Sequence, residues 1–409
     1  MAISFDLTEN SLASRAHYHE MAEQQMRPIS RKYDDEEHTL PREWVDFYWE
    51  SGRGGPPKTD LQAPGDGFVQ VCVQAEELCW GDAGLYLRIP SAALGGSAVS
   101  ATGTPEQKKR FLDRFRGDGP PCWGAMAITE PSAGSDSAAI QATAELDGDE
   151  YVLNGTKIFC TSGESAAQHE GGFVVVWATV DKSAGRGGIK AFVVPAGTEG
   201  MRLVGTEDKL GIRASDTATL VFENCRVPKE NLLGRAEVKK KKDAGKTGDK
   251  GFKGAMATFD ASRPIVAAMA VGVGRASLDF LKEEFERQGV EIRYDAPLHE
   301  QTVVERDVME MEAELQAARL LTWRAASMMN HGTPNNLEAS MAKAKAGLAV
   351  TKITQKAVEL LGPAGYSKKL LVEKWMRDAK INDIYEGTQQ INQLIVARRI
   401  LDYPSSMLR

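Results

Sequence analysis

The residues of this sequence best suited to proton chemistry are Tyr385-Glu386-Gly387-Thr388, which interrupt two helical patterns. A single carboxylate at a Gly-containing break can approach a ligand closely, and it lies beside the N-terminal end of the helix that follows. Such an acid can act as a general base. It can equally cap the second helix, since acids are favoured at that position. The four residues alone support both interpretations.

The sequence does not predict a metal site, a dinucleotide-binding turn or nonspecific nucleic-acid binding. The six histidines show no metal-ligand spacing, and His17 and His19 lie two residues apart, which directs them to different sides of a helix, so no metal site is predicted. Gly272-Val273-Gly274 could suggest a dinucleotide-binding turn. No strand precedes it and its surroundings are Ala-rich, so close helix packing is predicted instead. The formal net charge of −7 argues against nonspecific nucleic-acid binding.

We expect a soluble, cytoplasmic protein without a membrane span. The five cysteines are scattered and form no CxxC pair, as is typical of reduced thiols. The N-terminal residues lack the basic start and apolar core of a signal peptide. No segment approaches the roughly 20 apolar residues that span a membrane.

Changes in residue pattern divide the 409 residues into an α+β arrangement. An N-terminal helical domain is predicted over residues 1–122, and a small, mostly antiparallel β domain of sandwich or barrel type over 123–235. A charged linker follows at 236–250, and a C-terminal bundle of four or more helices at 251–409. The Lys239–Lys242 run in the linker is expected to be solvated, with binding of an acidic partner as the alternative.

Local signals place the elements within these domains. Thr104-Pro105-Glu106-Gln107 is the strongest helix start, because Thr104 can cap, Pro105 suits the first helical position and Gln107 can complete a capping box. A loop is predicted over Ser51–Gly67. Helices are predicted over Leu12–Met26, Arg42–Trp49, Phe68–Leu78, Arg263–Arg287, His299–Met329 and Asn335–Leu361. Strands are predicted over Gln141–Leu146, Tyr151–Leu153, Lys157–Thr161, Phe173–Val180, Ala191–Val194 and Thr219–Phe222, with a turn at Asn154-Gly155.

Five motifs occur in order across the three domains. They are Ala127–Asp136 (AITEPSAGSD), Asn154–Gly163 (NGTKIFCTSG), Lys209–Ala218 (KLGIRASDTA), Phe259–Pro264 (FDASRP) and Met376–Thr388 (MRDAKINDIYEGT). In this order and domain context the chain closely resembles the acyl-CoA dehydrogenase family of flavoenzymes. The resemblance runs from about residue 68 to 400, and the first 67 residues match only loosely.

The resemblance implies FAD-dependent α,β-dehydrogenation of an acyl-CoA thioester to a trans-2-enoyl-CoA. Glu386 would remove the α-proton, and its backbone N–H would stabilise the enolate oxygen. In some branches of the family the base lies just before the Arg of the Phe259–Pro264 motif, which opens the helix that usually lines the acyl pocket. That position is Ser262 here. Apolar Ile384 and Tyr385 beside the base would raise its pKa, since an ordinary Glu is a poor base for a C–H bond. Substrate contacts are implied for Ser135, Asp260, Arg263 and Gly387.

The resemblance also implies a set of FAD contacts. These are Met126, Ile128, Thr129, Gly134, Ser135, Phe159, Thr161, Arg287, Gln301, Gly362, Thr388 and Gln390. The family commonly has Trp at the position of Phe159, so an aromatic face remains but an indole N–H is lost. Arg287 is chosen for the pyrophosphate, with Arg293 as an alternative because the surrounding segment departs from the family pattern. Glu359 stands where many members have Gln.

The implied partners are the acyl-CoA substrate, an electron-transferring flavoprotein and further copies of the chain in a homotetramer. Met269 and Tyr86 are expected to restrict the acyl cavity to short or medium chains. Two alternatives keep the fold but change the function. One is an oxidase or flavin monooxygenase, in which dioxygen meets the reduced flavin. The other is a catalytically idle subunit that binds flavin or acyl-CoA.

Overall fold

Helices form both ends of the chain and strands form its middle in the computed structural model, which describes residues 5–51, 66–116, 119–238 and 250–403. The N-terminal helices are α1 (Glu9–Met21), α2 (Ser30–Asp35), α3 (Arg42–Ser51), α4 (Gly67–Gly81), α5 (Ala83–Leu87), α6 (Ala93–Thr102) and α7 (Pro105–Leu112). A π-helical turn over Ala22–Met26 extends α1, so the helix predicted up to Met26 is confirmed. The predicted loop after Ser51 and the Lys239–Lys242 run lie outside the described residues.

The capping box predicted at Thr104 is confirmed at the start of α7. The Thr104 hydroxyl accepts a hydrogen bond from the Gln107 N–H at 3.3 Å, and the Gln107 side chain accepts one from the Thr104 N–H at 2.9 Å. The amide nitrogen of Gln107 also donates to the carbonyl oxygens of Glu230 and Leu232. This helix start therefore fastens the N-terminal helices to the end of the strand region.

The strands of the described chain form one seven-stranded sheet, followed in the order β1-β4-β2-β3-β7-β6 with β5 beside β4. The strands are β1 (Gly124–Ala127), β2 (Thr143–Asp147), β3 (Glu150–Thr161), β4 (Phe173–Thr179), β5 (Ile189–Pro195), β6 (Met201–Thr206) and β7 (Thr217–Pro228), and a short helix, α8 (Gly163–Gln168), follows β3. β4 is parallel to β1 and β2, and the remaining pairs are antiparallel, which confirms a mostly antiparallel sheet.

The turn predicted at Asn154-Gly155 is wrong. Both residues lie inside the continuous strand β3, and the pairing with β7 shifts register between Leu153 and Gly155. Gly155 has φ +148°, and a Cβ atom there would lie 2.6 Å from the Cβ of Ala142. The glycine thus serves a β-bulge and a close approach of two chain segments, rather than a hairpin.

The C-terminal helices are α9 (Lys250–Arg287), α10 (Val303–Asn330), α11 (Asn336–Leu361), α12 (Val372–Ala379) and α13 (Gln389–Ile400). The helix predicted from Arg263 begins at Lys250 instead and carries Pro264 in its interior. A proline there removes one backbone hydrogen bond and usually marks a helix start. Packing of α9 overrides this signal, because α9 contacts both α4 and α11 along its buried face.

Close packing explains the glycines of α9. A Cβ atom at Gly272 would lie 2.2 Å from the Glu76 carbonyl oxygen in α4, and one at Gly274 would lie 2.8 Å from Val350 in α11. The packing prediction for these glycines is confirmed. By length and composition Gly254–Arg287 could cross a membrane, contrary to the expectation that no segment is long and apolar enough. However, 83% of its most apolar window is buried inside the protein. That burial is typical of a core helix.

Candidate active site

The turn that carries Glu386 lies between a 3₁₀ turn over Lys380–Asp383 and the start of α13. Glu386 has φ +56° and Gly387 has φ +91°, so two successive residues adopt the left-handed conformation. Thr388 caps α13, because its hydroxyl accepts a hydrogen bond from the Ile391 N–H at 3.3 Å. The helix is therefore capped without Glu386, and the carboxylate is free for another role.

The Glu386 carboxylate accepts a hydrogen bond from one hydroxyl group, and the charges of two cationic side chains act on it. Ser262 donates a hydrogen bond to Oε2 at 2.7 Å. Burial raises the pKa of Glu386, while the Ser262 hydrogen bond and the charges of Arg263 and Lys343 oppose that rise. A half-buried carboxylate with a raised pKa is a stronger base than an ordinary Glu, and the three partners favour its ionised form.

Donors from three helices hold the backbone of this turn. Arg263 in α9 donates to the Glu386 carbonyl oxygen at 3.3 Å. Lys343 in α11 and Asn392 in α13 both donate to the Gly387 carbonyl oxygen, at 2.6 and 2.7 Å. A left-handed Glu costs roughly 1–2 kcal/mol relative to ordinary backbone. These bonds offset that cost and fix the direction of the carboxylate.

Arg263 and Asp260 form part of this support. The Arg263 guanidinium is buried and contacts Asp260 at 2.9 Å and the Ser340 hydroxyl at 3.4 Å. Asp260 also accepts a hydrogen bond from Asn336 at 2.7 Å. Their contacts with substrate stay predictions, as do those of Ser135 and Gly387.

The apolar side of the turn differs from the sequence-based expectation. Ile384 is 53% exposed and cannot shield the carboxylate. Tyr385 is packed against the core, and its hydroxyl donates to Asn382 at 3.0 Å and lies 3.9 Å from the Met269 sulfur. Burial raises the pKa of Tyr385 well above its usual value, so the phenol stays neutral. Met269 is therefore in contact with the residue that precedes the candidate base.

The residues predicted to face the flavin gather around β1 and the C-terminal half of β3. Met126 and Ile128 are buried at the end of β1, and the Thr129 carbonyl oxygen accepts a hydrogen bond from the Ile158 N–H at 2.9 Å. The pairing of β3 with β7 shifts register between Lys157 and Cys160. Phe159 lies within this bulge, with φ +56° and 58% of its surface exposed.

A buried ion pair fixes the two segments to each other. The Lys157 ammonium contacts the Glu130 carboxylate at 2.7 Å and the Ile128 carbonyl oxygen at 3.1 Å. Glu130 also accepts the backbone N–H groups of Gln141 and Ala142. Glu130 and Ile128 belong to the motif at 127–136 and Lys157 to the motif at 154–163, so the ion pair holds the first motif against the strand that carries the bulge.

This arrangement fits a flavin. The exposed aromatic ring of Phe159 on the bulge offers a stacking face. Thr161, two residues later, and Thr129, whose carbonyl oxygen binds the Ile158 N–H, offer hydroxyl groups nearby. Gly134 has open space around it, since a Cβ atom there would meet nothing within 4 Å, and Ser135 beside it is exposed. FAD contacts of the individual residues stay predictions, those of Thr388, Gln390 and Gly362 included.

The structure separates the two candidates for the pyrophosphate contact. Arg293 is engaged by Glu305 at 2.6 and 2.9 Å and by the Glu300 carbonyl oxygen at 3.0 Å. Arg287, at the end of α9, is 72% exposed and contacts only the neighbouring Glu284 among the described residues. Gln301, in the segment between Arg293 and α10, donates to the Ala296 carbonyl oxygen. Arg287 is the freer of the two arginines.

Sequence reasoning missed Lys343 and Asn392. One signal for Lys343 was available, because it lies four residues after Ala339 and three before Ala346, on the buried face of α11. A lysine on a core face needs a partner, which marks it as a candidate for a site. Asn392 is buried three residues into α13, and its side-chain oxygen has no hydrogen-bond partner among the described residues.

Comparison with known proteins agrees with the fold. The chain matches the N-terminal domain of acyl-CoA dehydrogenase over residues 8–117, the middle domain over 125–225 and the C-terminal domain over 249–401. The short-chain specific acyl-CoA dehydrogenase of rat mitochondria is 36% identical over 402 residues, covering 97% of this chain and 92% of the relative.

Two solved structures extend the likeness. Butyryl-CoA dehydrogenase from Megasphaera elsdenii superposes with a TM-score of 0.83 at 31% identity, over 98% of this chain and 100% of that one. A chain in the structure of the electron transferring flavoprotein of Acidaminococcus fermentans superposes with a TM-score of 0.84 at 34% identity, over 98% and 100%. The fold and site thus define a flavoprotein oxidoreductase. The chain belongs to the acyl-CoA dehydrogenase family, whose cofactor is FAD, and the resemblance seen in the motifs is confirmed.

Proposed function

We propose that this enzyme converts a short, straight-chain acyl-CoA into the trans-2-enoyl-CoA, with Glu386 as the base. One observation carries the proposal: a half-buried carboxylate with a raised pKa lies in a left-handed turn that three helices hold in place. Structural capping does not need this acid, since Thr388 performs it. A strained, supported acid of this kind is typical of a catalytic position.

The turn contributes three things to the reaction. Glu386 takes the α-proton on a carboxylate oxygen, and its raised pKa makes the transfer from carbon easier. The Glu386 N–H forms no hydrogen bond among the described residues, so it is available to the thioester oxygen, where negative charge develops. FAD held near Phe159, Thr161 and Thr129 would supply the hydride acceptor for the β-carbon. Ser262 and Arg263 keep the carboxylate and its peptide in position.

A short acyl chain is supported by the side chains beside the base. The contact between Met269 and Tyr385 lies in the core that also contains Tyr86, and both tyrosines are held neutral by burial, which raises their pKa. Bulky side chains such as Met269 and Tyr86 in the acyl cavity would leave less room for a long acyl group. The names of the relatives, short-chain specific and butyryl-CoA, favour the same substrate class.

Acyl-chain preference is tested by turnover of butyryl-, octanoyl- and palmitoyl-CoA with an artificial electron acceptor. We expect the two shorter thioesters to be faster, and Met269→Ala to shift the preference toward octanoyl-CoA. Met311→Ala, a buried methionine in α10, is the matched control and should leave the order unchanged. Faster turnover of palmitoyl-CoA by the wild type would contradict the proposal.

We propose an electron-transferring flavoprotein as the electron acceptor. The likeness to a chain in the Acidaminococcus fermentans electron transferring flavoprotein structure supports it. The substrate-reduced enzyme should transfer electrons to such a protein faster than it reoxidises in air. Rapid reoxidation in air without the carrier would favour the oxidase or monooxygenase alternative, and lack of flavin reduction by any acyl-CoA would favour the idle subunit.

We further propose a homotetramer that acts in fatty-acid β-oxidation in the cytoplasm. The apolar side chains Leu394, Ile400 and Leu401 of α13 and its C-terminal end are exposed in the single chain, as expected of a surface that another copy covers. The five cysteines are free, which is typical of a reducing compartment. Sedimentation equilibrium at micromolar concentration tests the assembly, and a monomer would contradict it.

A further inference from the structure

Lys343 is a buried lysine whose ammonium lies directly behind the catalytic turn. Only 1% of its surface is exposed, and Nζ donates to the Gly387 carbonyl oxygen at 2.6 Å. Burying an ammonium is expensive unless it is paired. A neutral side chain of similar length would fit the apolar face of α11 at lower cost, so the charge at this position needs an explanation.

The charged groups that face Lys343 explain why a charge is present at this position. Burial lowers the pKa of Lys343 to about 8, while the carboxylates of Glu386 and Asp383, from the segment between α12 and α13, act to raise it. Arg263 of α9, itself paired with Asp260, is the cation that opposes them. The ammonium is therefore still charged at neutral pH, and its charge acts on the carboxylate of Glu386.

We propose that Lys343 is a positioning residue for proton abstraction, which fixes the Glu386–Gly387 turn through the Gly387 carbonyl oxygen and keeps the Glu386 carboxylate ionised. It exchanges no proton with the substrate. Asn392 binds the same carbonyl oxygen at 2.7 Å but carries no charge. The two donors thus share the mechanical task, and the electrostatic task belongs to Lys343.

Two substitutions separate these tasks. Lys343→Gln removes the charge and keeps a donor, whereas Lys343→Met removes both. Because an opposite charge nearby favours an ionised acid, either change should raise the pKa of Glu386 and move the acid limb of the kcat–pH profile upward by about one unit. Lys343→Met should also lower kcat on the plateau by about tenfold, because the hydrogen bond that fixes the Gly387 carbonyl oxygen is lost. KM should change little in both variants.

Lys345→Met is the matched control, since Lys345 lies on the same helix, pairs with Glu314 and points away from the turn's contacts. It should leave the acid limb in place. As a second readout, infrared difference spectra recorded against Glu386→Gln report the protonated carboxyl of Glu386 as pH falls, with no need for turnover. Thermal unfolding confirms that each variant is folded.

The inference rests on the proposed role of Glu386, and the two can fail separately. If Glu386→Gln remains active, the proposed function fails. If Glu386→Gln is inactive but folded Lys343→Gln keeps the wild-type acid limb and infrared titration, Lys343 is not a positioning residue of this kind. A shift in Lys343→Gln of the same size as in Lys345→Met would overturn it as well.

Discussion

Replacing Ser262 with alanine is expected to shift the pH dependence of catalysis while leaving the fold intact. Its hydroxyl donates to the Glu386 carboxylate at 2.7 Å, and a hydrogen bond to the ionised form lowers the pKa of the acid. Hydrogen bonds to charged groups contribute about 1.5–3 kcal/mol, and one pKa unit corresponds to about 1.4 kcal/mol. Loss of the full hydrogen-bond contribution would raise the pKa of Glu386 by roughly one to two units. Partial exposure of Glu386 weakens the hydrogen bond, so a rise of about one unit is expected.

The direction of the shift in the pH profile follows because Glu386 must be ionised to act as a base. Without the hydroxyl the pKa of Glu386 rises, the base is protonated over a wider range, and the acid limb of the kcat–pH profile moves to higher pH. The assay is steady-state dehydrogenation of butyryl-CoA with an artificial electron acceptor between pH 5 and 9, values chosen to bracket about two units on either side of neutrality.

Ser277→Ala provides a matched control for the Ser262 variant. Ser277 is a buried serine on the same helix, and its hydroxyl has no hydrogen-bond partner in the described part of the chain. It lies about 20 Å further along α9, at about 1.5 Å per residue. An unshifted acid limb in Ser262→Ala, or an equal shift in Ser277→Ala, would refute the assignment of the hydroxyl to the base.

Three further predictions concern the flavin region. Lys157→Met leaves Glu130 buried without its cation and should lower the free energy of unfolding by about 3–5 kcal/mol in denaturant titrations, whereas Lys157→Met with Glu130→Leu should recover most of it. Phe159→Ala removes an exposed ring and should weaken FAD binding by about tenfold at unchanged thermal stability, measured by flavin fluorescence; an unchanged affinity would exclude stacking. Arg287→Met should weaken FAD binding more than Arg293→Met does, and the reverse order would assign the pyrophosphate to Arg293.

Much of the site was predictable because its signals are local. The break at Tyr385–Thr388, the capping box at Thr104 and the small residues of α9 each depend on a few neighbouring side chains, and each is present as expected. The motifs added the order of the domains and the hypothesis that Glu386 is the base. Only the structure shows that the cap of α13 is the Thr388 hydroxyl, which accepts a hydrogen bond from the Ile391 N–H.

Features that depend on distant packing were not predictable. Strand β1 (Gly124–Ala127) has no β-branched residue, and β6 (Met201–Thr206) is half-exposed, so neither has a strong strand pattern. The start of α9 before Pro264 depends on helices far away in sequence. Lys343 and Gly387 are 44 residues apart, and only the folded chain brings them together.

The role of Glu386 is tested most directly by a single turnover. Anaerobic mixing of FAD-loaded enzyme with butyryl-CoA should bleach the flavin absorbance quickly in the wild type. Glu386→Gln keeps the size of the side chain but has no base, so bleaching should slow by about 10²–10⁴-fold while FAD stays bound. Bleaching within a factor of a few of the wild-type rate would contradict the assignment of Glu386 as the base.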